Sequence, residues 1–457
     1  MKKITIVVLL FAAAAMVAKL GHATNGMLME GYGPISTAMG GAYMAYDNGA
    51  GGMANNPATL GLMGEGTSRV DVAFGVLGPD VVARHTSMPD ADSGGTVYYM
   101  PAAGWVQKQE LLTFGVGMFV QGGMGTEYEE SDWVGAGSGL TTRSEVGMGN
   151  IVVPVAYDIT PDLTIGGSFD YVWGWMGLQM AMPAGQMGGL AASGNLTASG
   201  AGALGLPGFL GGVTNVGYFD FSDEGSTENA DATGWAGKLG VTYKVVEKLT
   251  LGAAYHSKTR LGDYKASGAQ MRMIDNAGTM GGAAGTTYTL TGDINLVDFQ
   301  FPETYGAGLA YQVRDDLMLV ADYKRIGWAR AMKDFHMTFS SADMGGISMD
   351  MRLPQDWKDQ DVFNFGLAYR TTAALTLRAG VNLANNPIPD NTVSPLFPAI
   401  VKHHYTFGAG YAFFKVSELN ASLAYVPKVT SITPATSGSY SIDHSQVNWQ
   451  LMYTYRF

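Results

Sequence analysis

Four side chains in this sequence have the chemistry to hold an anionic or polar ligand: His256, Lys258, Lys324 and Arg378. Each falls on the small or polar side of a run in which such residues alternate with branched or aromatic ones. Asp170 and Asp322 fall on the same side of their own runs, so an internal ion pair competes with ligand contact for every one of these cations. Hydrolysis is the other chemistry to weigh. No Gly-x-Ser-x-Gly elbow is present, and His85, His336, His403, His404 and His444 lie in or beside expected loops. No catalytic residue is assigned. The chain has no cysteine, which excludes disulfide frameworks and thiolate metal sites, and nothing indicates a metal or a cofactor.

The alternation that places these residues recurs along the whole chain. Val447, Trp449, Leu451, Tyr453, Tyr455 and Phe457 form one face of a C-terminal strand, and Asn448, Gln450, Met452, Thr454 and Arg456 the other. Leu163–Trp173, Leu249–Tyr255, Leu317–Tyr323, Phe363–Tyr369, Leu375–Val381, Tyr405–Tyr411 and Leu419–Tyr425 repeat it. Aromatic residues near the ends of the apolar face match a lipid-facing band with aromatic girdles. Short polar turns near Lys108–Glu110, Thr160–Asp162, Val246–Lys248, Arg314–Asp315, Thr371–Thr372 and Lys415–Ser417 alternate with long connections. The long ones lie near Asp80–Gly95, Gly122–Thr142, Met180–Asp231, Thr259–Gly285, Arg330–Gln360, Asn385–Lys402 and Pro427–His444. Six turns and seven loops give thirteen connections, and so an all-β transmembrane antiparallel barrel of about fourteen strands over residues 66–457. The first strand is expected near Arg69–Leu77 and the eighth near Asp298–Tyr311, where Pro302 interrupts it. An even count with unequal loops puts both mature ends in the periplasm and the long loops outside.

Export is written at the N-terminus. Lys2 and Lys3 precede the apolar run Ile4–Ala18, and Gly21-His22-Ala23 offers a cleavage site, giving a leader over residues 1–23 and a mature start at Thr24. Removing Lys2, Lys3 and Lys19 leaves 24 basic against 39 acidic residues, a charge of −15, which excludes nucleic acid as a partner. Thr24–Glu65 does not alternate. It is too apolar for a free tail and too rich in glycine for a domain, so it is expected to plug the lumen. Within it Pro57 pushes Asn56 into an extended conformation, and Asn56-Pro57-Ala58 is expected to make a rigid corner.

These residues resemble a known family. Asn56-Pro57-Ala58, with Ser36-Thr37-Ala38-Met39-Gly40-Gly41-Ala42 and Tyr46-Asp47-Asn48 before it, is similar to the hatch of the FadL/TodX outer-membrane transporters. Phe301-Pro302-Glu303, Trp357-Lys358-Asp359, Leu377-Arg378-Ala379-Gly380 and Asn386-Pro387-Ile388-Pro389-Asp390 continue the likeness in order and spacing. The resemblance implies a fourteen-stranded barrel closed by an N-terminal hatch. It also implies passive uptake of hydrophobic small molecules, long-chain fatty acids in one branch and monoaromatic hydrocarbons in another, with sideways exit through the wall. Recognition by the barrel assembly machinery is implied as well, in an outer membrane of lipid and lipopolysaccharide, by a monomer of a Gram-negative bacterium. A structural or adhesive barrel and a barrel lipid hydrolase are the alternatives.

Two further sets of residues bear on the path. Gly115, Gly117 and Gly122 stand in the third expected strand, where glycine marks a bulge, and are candidates for the wall opening; barrel curvature explains them equally well. Met182–Val213 carries no charge and presents Met187, Leu190, Leu206 and Phe209, candidates for an extracellular groove or for packing of the loops as a cap.

Overall fold

The computed structural model describes residues 25–223, 227–435 and 438–457. The leader expected over residues 1–23 lies outside them. Fourteen strands close a ring in which each pairs antiparallel with the next. They are β1 (Ser68–Leu77), β2 (Tyr98–Gln109), β3 (Leu112–Tyr128), β4 (Thr142–Thr160), β5 (Leu163–Pro183), β6 (Ala230–Val246) and β7 (Leu249–His256). The second half comprises β8 (Thr304–Arg314), β9 (Leu317–Ile326), β10 (Gln360–Arg370), β11 (Leu375–Ala384), β12 (His404–Phe414), β13 (Ser417–Ala435) and β14 (Gly438–Arg456). β14 closes on β1 with Trp449 opposite Val76 and Arg456 opposite Arg69.

The alternation decides which face looks where. Phe169, Leu239, Phe407 and Tyr425 are exposed on the outside, whereas Asp170, Lys238, Asn364, Asn420 and Gln450 are buried inside. A soluble sheet protein has the opposite polarity; this one suits hydrocarbon outside and a polar lumen. Among the described residues no helix is long and apolar enough to span a membrane.

The connections depart from expectation. The span Pro427–His444, expected as a loop, is mostly strand, because β13 and β14 keep pairing above the barrel as one long hairpin. β3 likewise runs on to Tyr128, past the expected start of its loop. β8 begins at Thr304 rather than near Asp298: Pro302 has no N–H for a ladder and Asp298 has a left-handed φ of 50°. Three expected loops fold into an outer extension of the barrel sheet. Val216–Phe221 pairs with β5, Tyr264–Asp275 with it, then Thr286–Leu296, Asp334–Ser341, Ile347–Pro354 and Leu196–Ser199 follow in turn.

Asn25–Met63 lies within the ring and is almost wholly buried. It forms short helical turns at Pro34–Thr37, Gly49–Met53 and Pro57–Leu62 rather than a strand. Inward glycines of the wall give it flat seats. A Cβ on Gly252 would overlap the Met44 carbonyl oxygen, and one on Gly380 the Gly40 nitrogen, so only glycine allows backbone to lie on backbone there.

Candidate functional site

The N-terminal segment is pinned to the wall by side chains that bond its backbone. Asp322 Oδ2 accepts the N–H groups of Tyr43 at 2.6 Å and Met44 at 3.0 Å, and Asp71 Oδ2 accepts that of Ala50 at 2.6 Å. Thr406 Oγ1 accepts the Gly40 N–H at 2.9 Å. Asn56 is extended, with φ −133°, and Pro57 opens the turn that follows. The Asn56 side chain accepts from the Ala58 N–H at 3.1 Å and donates to the Met44 carbonyl at 2.7 Å. Asn56-Pro57-Ala58 therefore ties two stretches of the segment together, and it rests on Gly166 and Gly240.

The four cations proposed from sequence have separate fates. His256 Nε2 donates to the Asn55 carbonyl at 2.5 Å. Lys324 Nζ donates to the Glu30 carbonyl at 2.7 Å and lies 5.0 Å from the centre of the Tyr43 ring. Arg378 donates to Asn420 Oδ1 at 2.9 Å. Lys258 was expected inside but follows the end of β7, where strand parity no longer holds, and sits at the rim 3.5 Å from the exposed Asp298. The acid partners also differ from expectation: Asp322 holds the segment, and Asp170 pairs with Lys238. Lys238, Asp71 and Glu30 were missed; the inward parity of Lys238 with Gly240 and Thr242 was the signal available. Both Lys238 and Asp170 are buried, so Lys238→Met should destabilise the barrel by about 3–5 kcal/mol by leaving a carboxylate unpaired. Urea unfolding in lipid vesicles measures it.

Among the described residues the wall is broken between β2 and β3. β2 and β3 pair only up to Ala102 opposite Phe119; the next residue on β2 is Pro101, which has no N–H. On its other side β3 skips a residue between Val120 and Gly122, so Gln121 is bulged. The N-terminal segment meets the bulge. Leu28 bridges to Gly122, the Gly123 N–H reaches the Met27 carbonyl at 3.2 Å, and Tyr32 Oη–H donates to the Gln121 carbonyl at 3.0 Å. Of the candidate glycines, Gly122 is at the break. Gly115 and Gly117 lie below it, paired with Val106 and Gly104, where they make room for Met53.

Two spaces meet at Met27, which lines both. The outer one, a groove of about 540 Å³, is walled by Trp133, Leu190, Phe335, Trp357 and Tyr440. Among the described residues no lysine, arginine or carboxylate lines it. The inner cavity, about 120 Å³, reaches through the wall break: Met27 and Leu28 line its inner end, Tyr99 and Trp175 its outer one. Its acidic lining residues are Glu30 and Glu145, and neither lysine nor arginine is among them. Burial raises the Glu30 pKa, against the partial pull of its own backbone N–H and the charge of Lys324. Of the groove residues proposed from sequence, Leu190 lines the groove, whereas Met187, Leu206 and Phe209 are buried in the cap above it.

Nothing in this arrangement forms a nucleophilic set. Ser87 Oγ lies 3.2 Å from His85 Nδ1 on the surface, and among the described residues no carboxylate orients that histidine. The His336–Asp350 pair, 3.0 Å apart, has no serine hydrogen-bonded to the ring among the described residues.

Comparison with known proteins gives this geometry its context. Residues 12–457 match the model of the outer membrane protein transport protein family (OMPP1/FadL/TodX). The toluene transporter TodX of Pseudomonas putida has a TM-score of 0.81 with 32% identity, over 94% of this chain and 100% of that one. The Ralstonia pickettii toluene transporter TbuX gives 0.76 and 32%, over 94% and 99%. Outer membrane protein P1 of Haemophilus influenzae is 22% identical over 414 residues, 88% of this chain and 79% of its own. An uncharacterised Chlorobium limicola protein is 46% identical over 85 residues; the chain spans 41% of that protein's length. With a closed all-β ring, a polar lumen holding its own N-terminal segment and a family match over nearly its whole length, the chain belongs to the OMPP1/FadL/TodX family of outer-membrane transporters of hydrophobic compounds.

Proposed function

We propose that this barrel takes up small uncharged aromatic molecules by passive diffusion: from the outer groove, past Met27, into the inner cavity, and sideways through the break between β2 and β3. The observation that carries this reading is the charge of the path. A fatty-acid carboxylate would meet Glu30 and Glu145 and no lining cation, whereas an uncharged ring meets methionine, tyrosine and tryptophan. Size is of the same order: the inner cavity measures about 120 Å³, somewhat less than the apolar cavity of about 150 Å³ that holds benzene. TodX and TbuX, both described as toluene transporters, are relatives at 32% identity.

In this reading Asn25–Met63 is the hatch that keeps the lumen shut to ions, with Asn56-Pro57-Ala58 as its internal brace. Ser68, where the barrel begins, and Phe457, bonded to each other at 2.9 Å, stand at the short-turn end, which supports a periplasmic position for the C-terminus. Lipid and lipopolysaccharide surround a single chain delivered by the barrel assembly machinery.

The test is ligand-induced stabilisation of the purified barrel. Toluene at a hundred times its Kd should stabilise it by about 2.7 kcal/mol, and palmitate should not. Stabilisation by palmitate and none by toluene would move the protein to the fatty-acid branch.

A further inference from the structure

The inner cavity contains a group that a hydrocarbon leaves unsatisfied. Glu30 lines it and is only 2% exposed. Among the described residues its carboxyl makes no hydrogen bond or ion pair with any other residue. Lys324 is the cation whose charge reaches it, but that ammonium is bonded to the Glu30 carbonyl and faces the Tyr43 ring. The other polar side chains of the lining, the hydroxyls of Tyr98 and Tyr99 excepted, are spoken for. His444 Nδ1–H donates to the Pro398 carbonyl at 2.6 Å, and Gln446 Nε2–H donates to His444 Nε2 at 3.0 Å. Asn448 donates to Gln446 Oε1 at 3.3 Å and accepts the Gly78 N–H at 3.2 Å. Glu145 is paired with Arg143 at 2.8 Å. Glu30 is thus a buried acceptor whose one donor among the described residues is its own backbone N–H, in a space lined by Met27, Leu28, Met100 and Val120.

We propose that the inner cavity takes a one-ring aromatic bearing a neutral hydrogen-bond donor, a phenol or an aniline, with the Glu30 carboxyl accepting from that donor. The inference rests on the reading of the cavity as part of an uncharged aromatic's path. A buried carboxylate with acceptor sites left unfilled costs free energy, and a ligand O–H or N–H relieves that cost where a plain hydrocarbon does not. The ring fills the apolar part of the space. A ligand carboxylate is refused because like charges would meet.

The experiment is titration calorimetry of the full mature barrel in detergent with three probes of one shape: p-cresol, toluene and 4-methylanisole, which has the oxygen but no donor. On the wild-type protein p-cresol should bind about tenfold more tightly than toluene, the worth of one hydrogen bond to a charged group. The methyl ether should follow toluene. Glu30→Leu should bring the cresol-to-toluene ratio close to one, and Glu30→Gln, which keeps an acceptor, should give an intermediate ratio. An unchanged ratio in Glu30→Leu overturns the proposal. If that variant does not assemble, equal binding of p-cresol and 4-methylanisole by the wild type overturns it as well. Failure of the broader reading looks different: the wild type then binds none of the three.

Discussion

Gly252→Val should turn a closed barrel into an open pore. The Met44 carbonyl lies against Gly252, accepts from Asn56 Nδ2, and belongs to the peptide stretch whose N–H groups are held by Asp322. A side chain at residue 252 overlaps backbone, which cannot rotate away. Overpacking together with the lost hydrogen bonds should cost the seated state about 3 kcal/mol or more. That is at least about a hundredfold in the ratio of seated to displaced segment. In planar bilayers the variant should show steady ion conductance where the wild type shows little, and cells carrying it should become sensitive to large hydrophilic antibiotics. The outer face at Leu251 and Ala253 is untouched, so the barrel should still assemble and keep its heat-modifiable mobility on gels. Wild-type conductance in a correctly assembled Gly252→Val barrel would show that the segment does not close the lumen.

Deletion of Gln121 should abolish uptake without opening the pore. Val120 and Gly122 become consecutive, so β3 can pair with β4 without a bulge and run straight past Pro101. The break between β2 and β3 narrows, and the inner cavity loses its way into the membrane. Uptake of radiolabelled toluene should fall to that of a host lacking the protein, with conductance still low. Gln121→Ala separates backbone from side chain. It keeps the bulge and the carbonyl that Tyr32 contacts, and should transport like the wild type. Undiminished uptake by the deletion would place the exit elsewhere.

The sequence carried the staves because each one answers to its local surroundings. Phe169, Tyr171 and Leu239 must face lipid while Asp170, Lys238 and Thr242 must not, and a period of two records that demand within a few residues. Where a segment answers to distant partners, the period alone did not place it. Tyr264–Asp275 and Thr286–Leu296 alternate too, with Leu290, Ile294 and Leu296 buried and Thr287, Thr289 and Thr291 exposed, but that face is covered by other outer strands rather than by lipid. The same holds for Met187, Leu206 and Phe209: an uncharged loop reads as apolar surface, but whether it lines a groove or packs into a cap depends on what the other loops bring to it.

The sequence by itself determined the compartment, the barrel, the inward and outward faces and a lumen segment with a proline corner, because solvent polarity and backbone stereochemistry act residue by residue. Only the tertiary structure decided the path. Glu30, Tyr99, Glu145 and Trp175 come from four stretches of chain and meet at one cavity because the ring closes there around a bulge. Asp322 became a clamp on the backbone rather than a partner for a lysine because Tyr43 and Met44 were laid across it. Parity says which face a residue takes. What shares that face is fixed by closure, and closure depends on partners far apart in the chain.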